Sequence, residues 1–473
     1  LNATTTAAPL VILHLGLGSF HRAHQAVYLQ RLHDAGDRRW LLAAGNIRPD
    51  MADVVQALAD QGGAYTLETI APDGERRYER IHAIREVIPY APGLAALLAR
   101  GADPATRIVS FTVTEAGYYL DPLHRLDPSI PELAADIARA QRGEPGETIY
   151  GAMAALLRAR RDAGAGPITL LNCDNLRHNG ERFRAGLLAF LQAAGDADLS
   201  AWTAQHTRSP NAMVDRITPR PPAELRARVR AATGVDDAAA ITAEHFIQWV
   251  IEDDFIAGRP AWETVGVELV PSVQPYEEAK IRILNASHCA IAWAGTLAGL
   301  TYIHEGTQQA AIRQMAWDYV TDDVIPCLSQ PRQATPVDLP AYRDMVLQRF
   351  ANPAIHDTNQ RVAADGFAKI PGFIAPTVRE RLAADQSIDA VAMLAALFLA
   401  FLQRWHQGAL PYAYQDQGME PAAAHAICAS ADPEAALAAD PTLWGDLAGD
   451  ARLLAALRRA GRRVSAFVAG RAP

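Results

Sequence analysis

The chain has 473 residues, a formal charge of -9, 50% hydrophobic and 21% charged residues, the profile of an ordinary globular enzyme with room for two or three domains. Its basic residues are scattered, which argues against nucleic-acid binding, and no apolar run approaches the roughly 18 residues of a membrane span. Four distant cysteines (Cys173, Cys289, Cys327, Cys428) form neither a C-x-x-C pair nor a disulfide framework, and the start lacks a signal-peptide pattern, so a cytoplasmic protein with reduced thiols and no metal is expected.

Residues 10–18 read Leu-Val-Ile-Leu-His-Leu-Gly-Leu-Gly, with a helix predicted from about His21 to Leu32. Strand, Gly-x-Gly, helix is the dinucleotide-binding arrangement, although a plain strand-to-helix turn would read alike. Gly16 permits the tight turn, and Gly18 lets a pyrophosphate approach the helix N-terminus. The third glycine of the fingerprint is missing; His21 stands in its place. A second buried strand, Trp40–Ala44, ends in Gly-Asn-Ile-Arg-Pro-Asp. Asp50 is the candidate partner of the adenosine ribose, and Arg48 could instead meet a 2′-phosphate, so NAD is favoured without excluding NADP. A helix over 50–61, a strand Tyr65–Ile70 and an extended piece Tyr78–Ile88 follow.

Arg107–Thr114 reads as a parallel-type strand, and ligands in such sheets bind at carboxyl ends, which makes Thr114 and Glu115 cofactor candidates. Helices over 131–141 and 148–163 lead to a strand at Pro167–Leu171. That strand opens into a turn with three Asn in eight residues, a density that suits either Asx-turn chemistry or a binding role for Asn175. Phe246–Ile251 and Trp262–Val270 read as two β-segments around a Gly-Arg-Pro turn, extending the first domain's sheet. Beyond Pro275 the pattern is helical, with periods at 305–325, 340–350, 388–408, 420–438 and 450–468. The expected organisation is an α/β Rossmann-type, NAD-binding domain with an extended mixed sheet over 1–272, and a mainly α-helical substrate-binding and catalytic domain over 273–473.

The stretch Tyr276–Gly295 reads as one long helix, with Pro275 at its start and two Glu in its first turn. At about 100° per residue, with Lys280 at zero, Glu277 falls near 60°, His288 near 80° and Asn285 near 140°. A carboxylate, an amine, an imidazole and an amide therefore share one arc of an otherwise apolar helix, a costly face to bury without a task. Of 44 basic Lys and Arg residues only Lys280 and Lys369 are lysine. In a chain that prefers Arg, a retained Lys marks a place where an always-charged side chain will not serve; a solvated helix position is the alternative.

Gly16-Leu-Gly-Ser-Phe-His-Arg-Ala-His-Gln-Ala, Cys173-Asp-Asn-Leu-x-x-Asn-Gly, Val214-Asp-Arg-Ile-Thr-Pro and Lys280-x4-Asn285-x2-His288 occur in this order. Together they resemble the polyol-specific long-chain dehydrogenase/reductases, the mannitol dehydrogenase family, over nearly the whole chain. The resemblance implies metal-independent, NAD-dependent interconversion of a polyol and its ketose. It implies Lys280 as general base, Asn285 and His288 holding the reacting oxygen, and Glu277 relaying the proton. Asn175, Asp215, Arg361 and Lys369 match substrate-binding positions, and Gly16, Gly18, Phe20 and His21 belong to the cofactor motif. Where the mannitol enzymes carry a His three residues beyond the matched Arg, this chain has Ala364. Gly45-Asn-Ile-Arg and Thr114-Glu-Ala-Gly-Tyr-Tyr look most like the family's D-arabinitol 4-dehydrogenase branch. D-arabinitol to D-xylulose is the expected conversion, with D-mannitol to D-fructose next. The expected partner is a small-molecule polyol or ketose, with no nucleic acid and no membrane, and the enzyme is expected to be a monomer.

Four rivals remain. Tyr276-x3-Lys280 spells the catalytic pair of short-chain dehydrogenases, but lies too far along too long a chain. A zinc alcohol dehydrogenase would need a cysteine cluster that is missing. A hexuronate reductase could use Arg361 and Lys369 as a carboxylate clamp. A nucleotide-sensing Rossmann protein would bind cofactor without turnover.

Overall fold

A computed structural model of the protein describes residues 8–113, 115–121, 125–330 and 335–470. The chain divides into two compact units, Leu1–Ala71 with Glu75–Gln274, and Pro72–Gly74 with Pro275–Pro473. The strands of the first unit are β1 (Leu10–Leu15), β2 (Trp40–Gly45), β3 (Tyr65–Ile70), β4 (Arg76–Ile81), β5 (Ile84–Ile88), β6 (Thr106–Phe111), β7 (Ile168–Asn172), β8 (Thr207–Arg208), β9 (Ala212–Asp215), β10 (Ile241–Glu244), β11 (Gln248–Glu252) and β12 (Glu268–Val270).

Six of them form a parallel sheet in the order β5-β2-β1-β6-β7-β8. The chain builds outward from β1 to one side, then returns to place β6 on the other. The β1/β6 boundary is therefore the topological switch point, the place where open parallel sheets bind ligands. Alternation along β1 sends Ile12 to one face, with Leu42, Ile108 and Leu171, and Val11, Leu13 and Leu15 to the other, with Val109, Phe111 and Leu170. Both faces are covered, which is why these strands read as continuous apolar runs. Tyr150, Met153 and Leu157 of helix Ile149–Asp162, and Phe183 and Phe190 of helix Asn179–Ala193, cover the second face.

Several expected elements divide differently. Tyr78–Ile88 falls into two strands that serve different sheets: β4 pairs antiparallel with β3, and β5 pairs with β2. The segments near 246–270 do not extend the six-stranded sheet. They form a separate sheet, β12-β11-β9, and Trp262–Val265 is a 3₁₀ turn rather than strand. The physical reason is aromatic burial: Trp249 and Trp262 pack 4.8 Å apart, and Trp249 packs 5.6 Å from Tyr28 of helix Gln25–Asp34. The third sheet has the order β10-β3-β4.

Among the described residues, the regular structure of the second unit is helical apart from an isolated bridge between Tyr302 and Thr358. Helix Asp389–His406 supplies much of its core through Val391, Leu394, Phe398 and Phe401. The expected period at 420–438 is two helices, because Asp432 caps the second one by accepting from Ala435 N–H at 3.0 Å and Pro433 follows it. No described helix is long and apolar enough to cross a membrane.

Candidate active site

At the switch point, β1 ends in Gly16, whose φ of +110° is open to glycine and strained for other residues. Leu17 N–H donates to Asn46 Oδ1 at 2.8 Å, and Asn46 Nδ2 donates to the Asp50 carbonyl at 2.9 Å. Buried Asn46 thus ties the glycine turn to the loop after β2. Around the turn opens a cavity of about 1050 Å³, lined by Gly16, Gly18, Phe20, His21, Arg48 and Asp50 among others. That is the upper end of the size of small-molecule sites, roughly 300–1,000 Å³, as an extended dinucleotide needs. A Cβ built on Gly18 would meet nothing within 4 Å. Packing does not demand glycine there; close approach of a ligand would.

The helix expected from His21 to Leu32 is two, Ser19–Ala23 and Gln25–Asp34, broken at His24. His24 leaves helical geometry because its ring is held on both sides: Nε2 to the Gln248 carbonyl at 2.8 Å and Nδ1 to Gln25 Nε2 at 3.0 Å. His21, in the place of the third glycine, stacks on His14 of β1 with centroids 3.4 Å apart. A flat ring on a flat ring permits the close helix–strand packing that the glycine usually allows. Burial pushes His14 down to about 3 and holds His21 well below its ordinary value, so both rings are neutral near pH 7. Arg48 donates Nε to the Glu147 carbonyl at 2.8 Å and Nη2 to Tyr119 OH at 3.1 Å, while Asp50 stays exposed at the rim.

In the second unit, the long helix is not the uniform α-helix read from the sequence. It runs α over Gln274–Ala279, π over Lys280–Asn285, and α again over Ala286–Leu297. Ala286 N–H bonds to the Ile281 carbonyl, an i→i+5 link. A π-turn holds one residue more than the α ladder, so the helix beyond it is set back by about 100°. Asn285 then moves from about 140° to about 40° from Lys280, and His288 from about 80° to about -20°. The π-turn gathers amine, amide and imidazole into a tighter stripe, with Glu277 near its edge. Lys280 is 7% exposed, and Glu277, Asn285 and His288 are buried too. Asn285 Nδ2 has no hydrogen-bond partner among the described residues.

His288 stacks on Phe350 with centroids 4.3 Å apart, and its Nε2 lies 3.3 Å from Asp357 Oδ2 without hydrogen-bond alignment. Asp357 in turn takes two bonds of 2.6 Å from Arg361 Nε and Nη2. Its position is fixed by Ile303 N–H donating to its carbonyl at 2.9 Å. Gly295 lets helix Asn359–Ala363 come close, since a Cβ there would stand 2.7 Å from Asn359 Nδ2. Burial lowers His288, and Asp357 only partly restores it. For Asp357 burial works upward, but His288 and Arg361 outweigh it and hold the carboxyl well below the usual range. Lys369 Nζ donates to the Val362 carbonyl at 2.8 Å.

The Mannitol dehydrogenase Rossmann domain matches residues 10–264, and the Mannitol dehydrogenase C-terminal domain matches residues 272–464. The chain belongs to the mannitol dehydrogenase family. It is 60% identical over 463 residues to a D-arabinitol 4-dehydrogenase of Ralstonia nicotianae, covering 98% of each. It is 56% identical to a D-arabinitol 4-dehydrogenase of Klebsiella pneumoniae, covering 94% of this chain and 96% of that protein. Among solved structures, the Pseudomonas fluorescens mannitol 2-dehydrogenase in ternary complex with NAD and D-mannitol matches with a TM-score of 0.85 and 32% identity, over 98% of this chain and 94% of that one.

Within this family member, the candidate residues fall into sets. Gly16, Gly18, Phe20, His21 and Asp50 line one cavity of the first unit. Glu277, Lys280, Asn285 and His288 share one stretch of helix, with Arg361 joined to His288 through Asp357. Asn175 is exposed on the loop after β7, and Asp215 is buried at the end of β9. Thr114 and the side chain of Glu115 lie outside the described residues. Sequence reasoning missed Asp357 and the tie that Asn46 makes. The i, i+4 spacing of Asp357 and Arg361 at a helix start was a usable signal; nothing in the sequence marks Asn46 as the tie of the glycine turn.

Proposed function

We propose that the protein is an NAD-dependent polyol dehydrogenase that interconverts D-arabinitol and D-xylulose, with Lys280 as general base. The observation that carries the chemistry is the buried stripe of Lys280, Asn285 and His288 made by the π-turn. The names of the relatives that match nearly full length support D-arabinitol over D-mannitol, and Ala364 removes a polar group that the mannitol enzymes offer.

Gly16, Gly18, Phe20, His21 and Asp50 would hold the dinucleotide, with its pyrophosphate over the glycine turn. Bound NAD supplies the hydride acceptor. The protein's own part is proton and charge handling. Desolvation favours an uncharged amine, and Lys280 in that form takes the hydroxyl proton of the substrate. Asn285 Nδ2 donates to the oxygen as charge develops on it. The Asp357 carboxylate favours hydrogen on His288 Nε2, and that hydrogen, not aligned on Asp357, is available to the same oxygen. Glu277 passes the proton onward from Lys280. Arg361 and Lys369 are substrate-binding candidates beside this stripe; Asn175 and Asp215 remain candidate hydroxyl partners in the first unit. The hexuronate reading loses support because both its cations are engaged: Arg361 by Asp357 and Lys369 by the Val362 carbonyl.

Steady-state kcat/KM for D-arabinitol, D-mannitol, D-sorbitol and fructuronate, with NAD and NADP, tests the substrate. D-arabinitol with NAD should lead. A hundredfold preference for fructuronate, about 2.7 kcal/mol, would sink the polyol reading. Lys280→Ala should lower kcat by several orders of magnitude and leave NAD(H) binding intact; near-normal turnover would refute its role as base.

A further inference from the structure

We infer that Arg282 is a positioning residue which, with Glu278 and Glu380, holds the π-turn that aligns Lys280 with Asn285 and His288. The inference rests on the reading of Lys280 as base. Arg282 lies inside the π-turn and is buried. Its Nε donates to Glu278 Oε2 at 2.7 Å. Its Nη1 and Nη2 fork onto Glu380 Oε2 at 2.7 Å and Oε1 at 2.6 Å. Glu278 belongs to the α segment before the turn, and Glu380 to a separate helix, Ala375–Ala383. One guanidinium therefore fixes the turn both to the helix upstream and to a neighbour.

Such a tie is needed because π geometry is rare and strained relative to α, and persists only where the surroundings over-determine it. If the turn relaxed to α, Asn285 and His288 would swing by about 100° relative to Lys280 and the stripe would open. The surroundings reinforce the tie. Two more π-turns, Tyr319–Val324 and Ile370–Ile374, pack against Lys280–Asn285. Each is closed by an i→i+5 bond, Ile325 N–H to the Val320 carbonyl and Ala375 N–H to the Ile370 carbonyl. The last begins directly after Lys369 and runs into the helix that carries Glu380. Both lysines of the chain thus adjoin π-turns, and Arg282 bridges from one of these turns to the helix after the other. Burial disfavours the Arg282 charge, but Glu380 and Glu278 more than restore it. Lys could keep the charge at this position and not the fork.

The test compares Arg282→Lys and Glu380→Gln with Lys280→Ala in the full-length enzyme. It reads kcat, KM for polyol and for NAD, the pH dependence of kcat/KM, and the melting temperature. Arg282→Lys should lower kcat by about 10- to 100-fold, as for a misplacement of about 1 Å. It should also displace the pH limb that Lys280 governs and leave KM for NAD within about twofold. Glu380→Gln should move the same quantities in the same direction by less. Folded variants with near-wild-type kcat, or a loss that merely follows the folded fraction with the pH limb unmoved, would overturn the inference. If Arg282→Lys does not fold, Glu380→Gln decides on the same criteria. Turnover retained in Lys280→Ala would overturn the base assignment and this inference with it. Turnover lost there but unaffected in both other variants would overturn this inference alone.

Discussion

Asp357→Asn keeps the shape of the side chain and removes its charge. In the wild type this buried carboxylate takes two 2.6 Å bonds from Arg361 and lies 3.3 Å from His288 Nε2. Because its folded pKa is depressed, its stabilisation is present above the unfolded value of about 3.9 and is lost only as pH falls below it. At pH 7 the full contribution is therefore at stake. Charge-assisted hydrogen bonds are worth about 1.5–3 kcal/mol each. Asn keeps one acceptor, and the Arg361 side chain is 56% exposed, so water compensates part of the loss; about 2 kcal/mol of local stability should go. The catalytic cost comes through His288. Burial already lowers its pKa, and Asp357 is what opposes that. Without the carboxylate, the ring loses the pull that keeps hydrogen on Nε2, so kcat for D-arabinitol oxidation should fall about 10- to 100-fold. Steady-state kinetics across pH 6–10, with thermal melting, measure both effects. KM for NAD should not change, because the cavity proposed for the dinucleotide is built from the first unit. A folded Asp357→Asn enzyme with kcat within twofold of wild type would refute the reasoning, and so would a tenfold rise in KM for NAD.

Three further outcomes are expected. Gly18→Val should melt within about 2 °C of wild type, since a Cβ there meets nothing within 4 Å, yet raise KM for NAD at least tenfold, on the order of 1.4 kcal/mol; lost stability with unchanged KM would make Gly18 a packing glycine. Asp50→Ala should narrow the preference for NAD over NADP as measured by the ratio of kcat/KM values; no change would move discrimination to Asn46 or Arg48. Asp174, raised by burial from 3.8 to about 7, should contribute stability that is full below the unfolded pKa and lost as pH rises towards 7, at most roughly 4 kcal/mol. Denaturant midpoints at pH 5 and pH 8 should therefore differ less in Asp174→Asn than in wild type, and parallel behaviour would contradict the buried, proton-holding carboxyl.

The sequence by itself determined what depends on local pattern. The apolar run to Leu15 with Gly16 specifies strand and turn, because both strand faces must be buried and the turn needs a positive φ. The two surviving lysines and the Asn285 and His288 spacing marked the helix proposed to carry the chemistry. What only the tertiary structure decided depends on groups far apart in sequence. Strand β11 lies in a sheet of its own, where Trp249 packs on Trp262 and on Tyr28 of helix Gln25–Asp34. His24 breaks a helix because Gln248 holds its ring. Asp357 meets His288 because Gly295 lets two helices approach. Above all, the phase of the Lys280, Asn285 and His288 stripe depends on the π-turn. Residue spacing reads a helix at 100° per residue, but Arg282 lies in a turn of different pitch, bonded to the distant Glu380 of a separate helix, and a change of pitch leaves no local signature in the order of the side chains.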